Sequence, residues 1–352
     1  MKGTSMKGED EELGAYWKVI KQAESSSNWA RAAMAYNDLG NTQQDCCEFS
    51  KAVASYNRAV ALARKVSDWD TVTKAYYNEG NAQQKQSNFV EAVKSYMNAI
   101  GFYKKIVNQG IGAMVYNNMG NSYQKLQRYS EALESYKKAI ILGTKTSNRG
   151  TVATAYYNAG SAYNDMRKYK KAVSNYLKAI NFGLDIEDYN TVTETYYNLG
   201  NTFDDIDWPE QSVKAYQMAI RYGKKISDWP TVAKSYSNIG KVFLDLEDHR
   251  ESMEAYLEAI KLCKYLPDGG EPLFPVVTVM ICISGIVSMG NREGNEVDRF
   301  VKQLREIYKK CAHHSHSLMF NASFRNIVLK IIIPMEDFIE IDLNDESIKL
   351  KS

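Results

Sequence analysis

Apolar and polar positions along this chain follow two periods, a helical one over short distances and a 40-residue one over long distances. In "YYNLGNTFDD", Tyr196, Gly200 and Phe203 stand at i, i+4 and i+7, one face of a helix. Ser212, Tyr216 and Ala219 form the same stripe on a second helix, with Ala52, Ala92, Ala132 and Ala172 at the place of Ser212 in earlier repeats. Gly40, Gly80, Gly120, Gly160, Gly200 and Gly240 keep one phase, each preceded four residues earlier by a tyrosine from Tyr36 to Tyr236. Tyr56, Tyr96, Tyr136, Tyr176, Tyr216 and Tyr256 keep another, with alanines from Ala59 to Ala259 three residues on. Each unit therefore reads as helix A, tight turn, helix B, capped turn. Pro209 suits a first helical turn. Asn28, Asp68, Asn108, Asn148, Asp188 and Asp228 are placed to cap helix starts, each worth about 1 kcal/mol.

A glycine inside a helix costs about 1 kcal/mol relative to alanine. Six of them in one phase predict that helix B approaches helix A closely there. Ala52, Ala92 and their equivalents are expected to supply the facing gap, with the tyrosines filling the volume around it.

The pattern of bulky residue, apolar residue, glycine and tyrosine, then alanine, aromatic and alanine, resembles the tetratricopeptide repeat. The resemblance covers residues 29–266 as six repeats and implies an all-α, right-handed superhelical solenoid of antiparallel helix pairs. The family's usual period is about 34 residues, so the added length is expected in helix B and the exit of each repeat. Long-period repeats of this kind look like those of the Pins family of spindle-orientation adaptors, whose helix A also contains the "LGN" of Leu199, Gly200 and Asn201. No segment after residue 266 resembles the G-protein-binding motifs of those adaptors.

Outside the repeats, residues 1–28 are expected to hold an orphan helix B over 9–24, with Tyr16, Val19 and Ile20 in phase, capping the first repeat. Residues 267–311 read as a degenerate seventh pair, and residues 312–352 as a capping helix followed by an acidic tail. The apolar run from Leu273 to Gly290 is short for a bilayer and reads as a buried helix.

Composition narrows the function. Hydrophobic content of 44% and charged content of 24% describe a well-packed chain. A net charge of +2 gives no global attraction to nucleic acid or to an anionic membrane. Five cysteines without framework spacing read as reduced thiols of a cytoplasmic protein, and the N-terminus lacks the apolar core of a signal peptide. His249 is the one histidine outside the tail, and His313, His314 and His316 read as a solvated turn, since no cysteine or carboxylate spacing supports a metal. With no phosphate-cradling glycine loop and no converging acid, base and nucleophile, the chain reads as a non-enzyme without cofactors.

The functional candidates lie two residues before the repeated glycine, nearly opposite the packing face. That position is Asp38, Asn78, Asn118, Asn158, Asn198 and Asn238; three residues on stand Asn41, Asn81, Asn121, Ser161, Asn201 and Lys241. Asparagine is a weak helix former, so folding alone does not ask for this ladder. In tetratricopeptide arrays helix A lines the concave wall, which is what the resemblance implies for the stripe. A primary amide offers a donor and an acceptor to the backbone of an extended peptide. The alternative is that these amides bond neighbouring A helices and stiffen the wall. Around the stripe, Lys74, Lys85 and Lys125 would face an acidic part of a ligand, and Asp165, Glu194, Asp204 and Asp205 a basic part, with Tyr77, Tyr157 and Tyr197 alongside. Asn37, Met114 and Asn118 occupy the places where a chaperone-binding carboxylate clamp needs its basic residues, so that clamp is not expected. The expected role is a protein-interaction adaptor binding a protein or peptide partner, without nucleic acid and without membrane insertion. The other readings are a peptide-sensing regulator, for whose extra N-terminal output domain the residues before the first repeat leave no room, and a self-assembling structural module.

Overall fold

A computed structural model describes residues 3–103, 105–106, 110–262, 339–342 and 347–350. The expected seventh pair, the Leu273–Gly290 run, the capping helix and the His313 cluster lie outside the described residues. The chain divides into two compact units, Met1–Thr191 and Val192–Ser352. Among the described residues no helix is long and apolar enough to cross a membrane.

The fold is an all-α solenoid of antiparallel helix pairs. Helix α1 (Gly3–Ser25) begins earlier than the residue 9 expected from the pattern. In the first unit the A helices are α2 (Trp29–Asp45), α4 (Trp69–Lys85), α6 (Gly110–Lys125) and α8 (Arg149–Asp165). Their B partners are α3 (Phe49–Lys65), α5 (Phe89–Tyr103), α7 (Tyr129–Lys145) and α9 (Tyr169–Asp185). Each helix from α1 to α8 packs on the next, and successive A helices also touch. The second unit takes most of α10 (Tyr189–Asp205), then α11 (Pro209–Lys225), α12 (Trp229–Asp245) and α13 (His249–Lys261). There α11 packs on α12 and α12 on α13.

The extra length of the repeat does not fall on helix B. In repeat four α8 and α9 both have 17 residues, so the unit is two equal helices joined by three-residue turns. Every fully described turn between helices closes alike. Glu48 N–H donates to Gln43 O at 2.8 Å and Cys47 N–H to Gln44 O at 3.0 Å, the Schellman arrangement. Cys47 has φ 60°, and the same left-handed residue recurs every 20 residues from Ser27 to Glu247, except where residues 107–109 lie outside the described chain, and never as glycine. The next residue starts the following helix. Asn28, Asp68, Asn148, Asp188 and Asp228 each accept from the backbone N–H three residues on, as the pattern predicts. Asn108 lies outside the described residues.

The core answers the question of the helical glycines differently from the sequence. A Cβ on Gly120 would stand 2.5 Å from Cε1 of Tyr136, and the other five repeated glycines meet the equivalent tyrosine ring. The space at the glycine Cα is thus filled by the B-helix tyrosine itself, lying across it, while the small residue of the Ala52 phase faces the glycine carbonyl, as Ser212 does in donating to Gly200 O at 2.9 Å. These six tyrosines are among the most deeply buried large side chains of the protein.

At the C-terminal end, β1 (Ile339–Asp342) and β2 (Ser347–Leu350) form an antiparallel pair with Ile339 opposite Leu350. The sequence reading placed an acidic tail there. The alternation Ile339, Glu340, Ile341, Asp342 has the period of a strand.

One repeat carries a charge where the others carry core. Leu39, Met119, Ala159, Leu199 and Ile239 are buried at the position that Glu79 occupies in α4. Its Oε2 is sealed from solvent without a hydrogen-bond partner. Burial raises the Glu79 pKa above the usual carboxylate range, and Ser95 and Asn57 offset this only in part.

Two outcomes follow from this packing. Gly120→Ala should destabilise the fold by about 1–3 kcal/mol through the clash with Tyr136. Gly14→Ala, where a Cβ meets nothing within 4 Å, should stabilise by up to about 1 kcal/mol. Thermal unfolding followed by circular dichroism separates the two signs. For Glu79, a folded pKa above the unfolded one means stability that is complete at pH values below the ordinary carboxylate range and lost as pH rises through the raised value. Glu79→Gln should therefore raise the unfolding midpoint at pH 7 and leave it unchanged near the acid end of that window. A shift of equal size at both pH values would assign the effect to packing instead.

Candidate functional site

The tyrosine that lies on the glycine also reaches the ladder. Tyr56, Tyr96 and Tyr136 donate their hydroxyls to Oδ1 of Asn41, Asn81 and Asn121, at 2.9, 2.7 and 2.8 Å. Burial, the largest cause, pushes these phenols well above their ordinary range, so each stays a neutral donor. The asparagine of the following repeat donates to the same amide row. Asn78 Nδ2 bonds Asn41 Oδ1 at 3.0 Å and Asn37 Oδ1 at 3.1 Å. Asn118 Nδ2 bonds Asn81 Oδ1 at 2.9 Å and the Tyr77 hydroxyl at 3.2 Å, and Asn158 Nδ2 bonds Asn117 Oδ1 at 3.0 Å. The second unit repeats the motif. Tyr216 donates to Asn201 Oδ1 at 2.7 Å, and Asn238 Nδ2 donates to the same oxygen at 3.0 Å.

Glutamines tie the next turn of the wall. Gln84 accepts from Tyr96 at 3.0 Å and donates to Ser122 Oγ at 2.7 Å. Gln124 accepts from Tyr136 at 2.8 Å and donates to Ser161 Oγ and to Asp165 Oδ2. Asn37, Asn117, Gln84, Gln124 and the B-helix tyrosines were not singled out as site residues by the sequence. A signal was present: the six core positions are always tyrosine and never phenylalanine, and the hydroxyls of Tyr56, Tyr96, Tyr136 and Tyr216 each bond a ladder amide.

The amides are therefore bonded between neighbouring A helices, but only by half. In the 78, 118 and 158 positions the nitrogen is committed, and Oδ1 of Asn78 and Asn158 accepts no hydrogen bond among the described residues. In Asn41 and Asn121 the oxygen is committed and Nδ2 has no hydrogen-bond acceptor among the described residues, whereas the Asn81 amide also donates to the Tyr77 hydroxyl. Asn238 repeats the first pattern with an unused Oδ1. These atoms are not sealed: all the ladder asparagines are half-buried and none of the idle atoms is shut off from solvent.

The charged neighbours sort unevenly. Lys85 and Lys125 are exposed and form no ion pair among the described residues, whereas Lys74 is held by Asp70 one turn earlier in α4. Asp165 accepts from Gln124 at 2.8 Å. Asp204 holds Lys241 at 2.7 Å, and that hydrogen bond first of all raises the lysine pKa. Glu194 and Asp205 are exposed on α10. Among the described residues no group of three or more His, Cys, Asp or Glu side chains is placed to hold a metal ion.

Comparison with known proteins agrees with this architecture. Residues 113–183 and 233–265 each match a tetratricopeptide repeat family model, and residues 10–142 match the family of soluble NSF attachment protein, SNAP. No curated protein sequence matches the chain. Among solved structures, the apo form of RapI is 16% identical, with a TM-score of 0.56 over 79% of this chain and 99% of its own. BtubC from P. vanneervenii is 18% identical, with a TM-score of 0.54 over 61% and 90%. PilF of Pseudomonas aeruginosa is 15% identical, with a TM-score of 0.51 over 67% and 93%. At these identities the likeness is one of fold alone. The 40-residue repeat, the paired helices and the matched family models converge on one conclusion: the chain is a tetratricopeptide-repeat protein.

Proposed function

We propose that the protein is a cytosolic, non-catalytic interaction adaptor that holds an extended segment of a partner protein along the asparagine ladder. The observation that carries this reading is the idle half of each amide. Asn78 and Asn158 offer an unused acceptor, and Asn41 and Asn121 an unused donor, on one row of A helices. A peptide backbone needs both kinds of partner and supplies both, whatever its side chains. The committed halves fix the rotamers in advance, so less side-chain freedom is lost when a ligand arrives. In the second unit Asn238 offers the same unused acceptor, beside Asn201 and Asn198, which bond each other at 3.4 Å. The family matched over residues 10–142 is itself named for attachment to a protein.

Charges beside the ladder set preference within the ligand. Exposed Lys85 and Lys125, with Lys74 in reserve behind its ion pair, favour an acidic stretch. Asp165 in the first unit, and Glu194 and Asp205 in the second, favour a basic one.

The test removes the idle donors while keeping the structural acceptors. Asn41→Asp/Asn121→Asp preserves the oxygens that Tyr56, Asn78 and Tyr136 use. Affinity capture from cell extract should lose its partner by about tenfold or more, the loss of one to two hydrogen bonds of about 1 kcal/mol each. The unfolding midpoint should stay near that of the parent. Partners retained equally by both proteins would remove the ladder from the binding site. Lys74→Glu/Lys85→Glu/Lys125→Glu, read in the same capture, checks the charge preference: unchanged binding would leave the ladder and discard the polarity.

A further inference from the structure

The near-zero net charge conceals a separation within the first unit. The B helices α3, α5, α7 and α9 carry four carboxylates, Glu91, Glu131, Glu134 and Asp185, and every one is already held by a cation: Lys94, Arg128, Lys138 and Arg149. On the solvent side of the same helices Arg58, Lys65, Lys137, Lys145, Lys170 and Lys178 are exposed and have no ion pair among the described residues. The phases recur from repeat to repeat, so these cations line one wall. Bare aliphatic side chains stand between them. Val90, Met97, Ile141 and Leu177 are 49% to 60% exposed, although the other large apolar residues of these helices are half-buried or buried.

We infer that this B-helix wall is a docking surface for an anionic lipid bilayer. The two ingredients of peripheral attachment are present together: uncompensated cations, attracted to acidic headgroups, and protruding apolar side chains that enter the acyl boundary. A nucleic-acid reader would place aromatic rings on the same face for stacking, whereas here the B-helix tyrosines Tyr56, Tyr96, Tyr136 and Tyr176 are buried against the A helices. An acidic protein would leave the aliphatic side chains without a purpose, while a fluid bilayer accepts them wherever they project. The attachment requires no spanning helix, and it leaves the opposite ladder free for a protein ligand.

Co-sedimentation of the full chain with vesicles tests this. Binding is expected to phosphatidylcholine vesicles containing about 30% phosphatidylserine, to be absent with phosphatidylcholine alone, and to vanish in about 0.5 M salt. Arg58→Glu/Lys137→Glu/Lys170→Glu should weaken it by at least about tenfold. Ile141→Ser/Leu177→Ser should weaken it by a smaller factor at every salt concentration. All five side chains are exposed, and a circular dichroism melt confirms that each variant is folded. Asn41→Asp/Asn121→Asp should bind vesicles like the parent, which keeps this surface separable from the ladder. Failure to sediment with acidic vesicles, or sedimentation that the charge reversals leave intact, overturns the inference. Binding to polyglutamate or to DNA without vesicle binding overturns it as well, in favour of an acidic protein or a nucleic acid.

Discussion

The whole arrangement depends on one contact, the B-helix tyrosine laid across the A-helix glycine. In repeat three Tyr136 covers Gly120 so closely that no Cβ fits between them, and its hydroxyl emerges on the far side at Asn121 and Gln124. The glycine lets the ring pass. The ring fills the space between the two helices, and the hydroxyl then orients an amide on the other face. A residue that costs about 1 kcal/mol in helix propensity is thereby kept because it couples core packing to a polar wall. Phenylalanine would satisfy the core equally well and leave the asparagine oxygen without its donor.

This coupling explains why the ladder is stiff and still incomplete. An amide with both halves bonded to protein is structure and nothing more, while one with neither half bonded is free to rotate. Here Tyr56 and Asn78 share the oxygen of Asn41, which fixes the amide and leaves its nitrogen available. Burial keeps the phenols neutral and leaves them acting as donors throughout the ordinary pH range. The geometry of the wall is then insensitive to pH, and sensitivity is confined to exceptions such as Glu79.

The repeat made most of the fold legible in the sequence. Four positions in phase across six units give helix order, turn positions and caps, because the spacing of buried residues is dictated by helical geometry. Two features escaped it for physical reasons. What fills the glycine gap depends on which ring of the neighbouring helix points there, and sequence spacing within one helix does not carry that information. The left-handed turn residues, such as Arg167 and Asp207, are not glycine, so the usual marker of a Schellman end is missing. The ladder itself was legible as an oddity of helix propensity. Its division into committed and idle halves was not, since that follows from partners 37 to 41 residues away.

The equal division of the repeat bears on function through this same geometry. With 17-residue helices and three-residue turns, equivalent A-helix residues recur at a constant step, and Asn78 and Asn118 each meet the amide 37 residues earlier. Constancy of step is what an extended ligand backbone also has, and a wall that reads backbone must match that regularity more than any side-chain sequence. Side-chain preference is then left to positions that vary among repeats, such as Lys74, Met114, Thr154 and Glu194, all at one phase of helix A. The invariant positions hold the wall to one spacing, and the variable ones are free to differ because they carry no part of the packing.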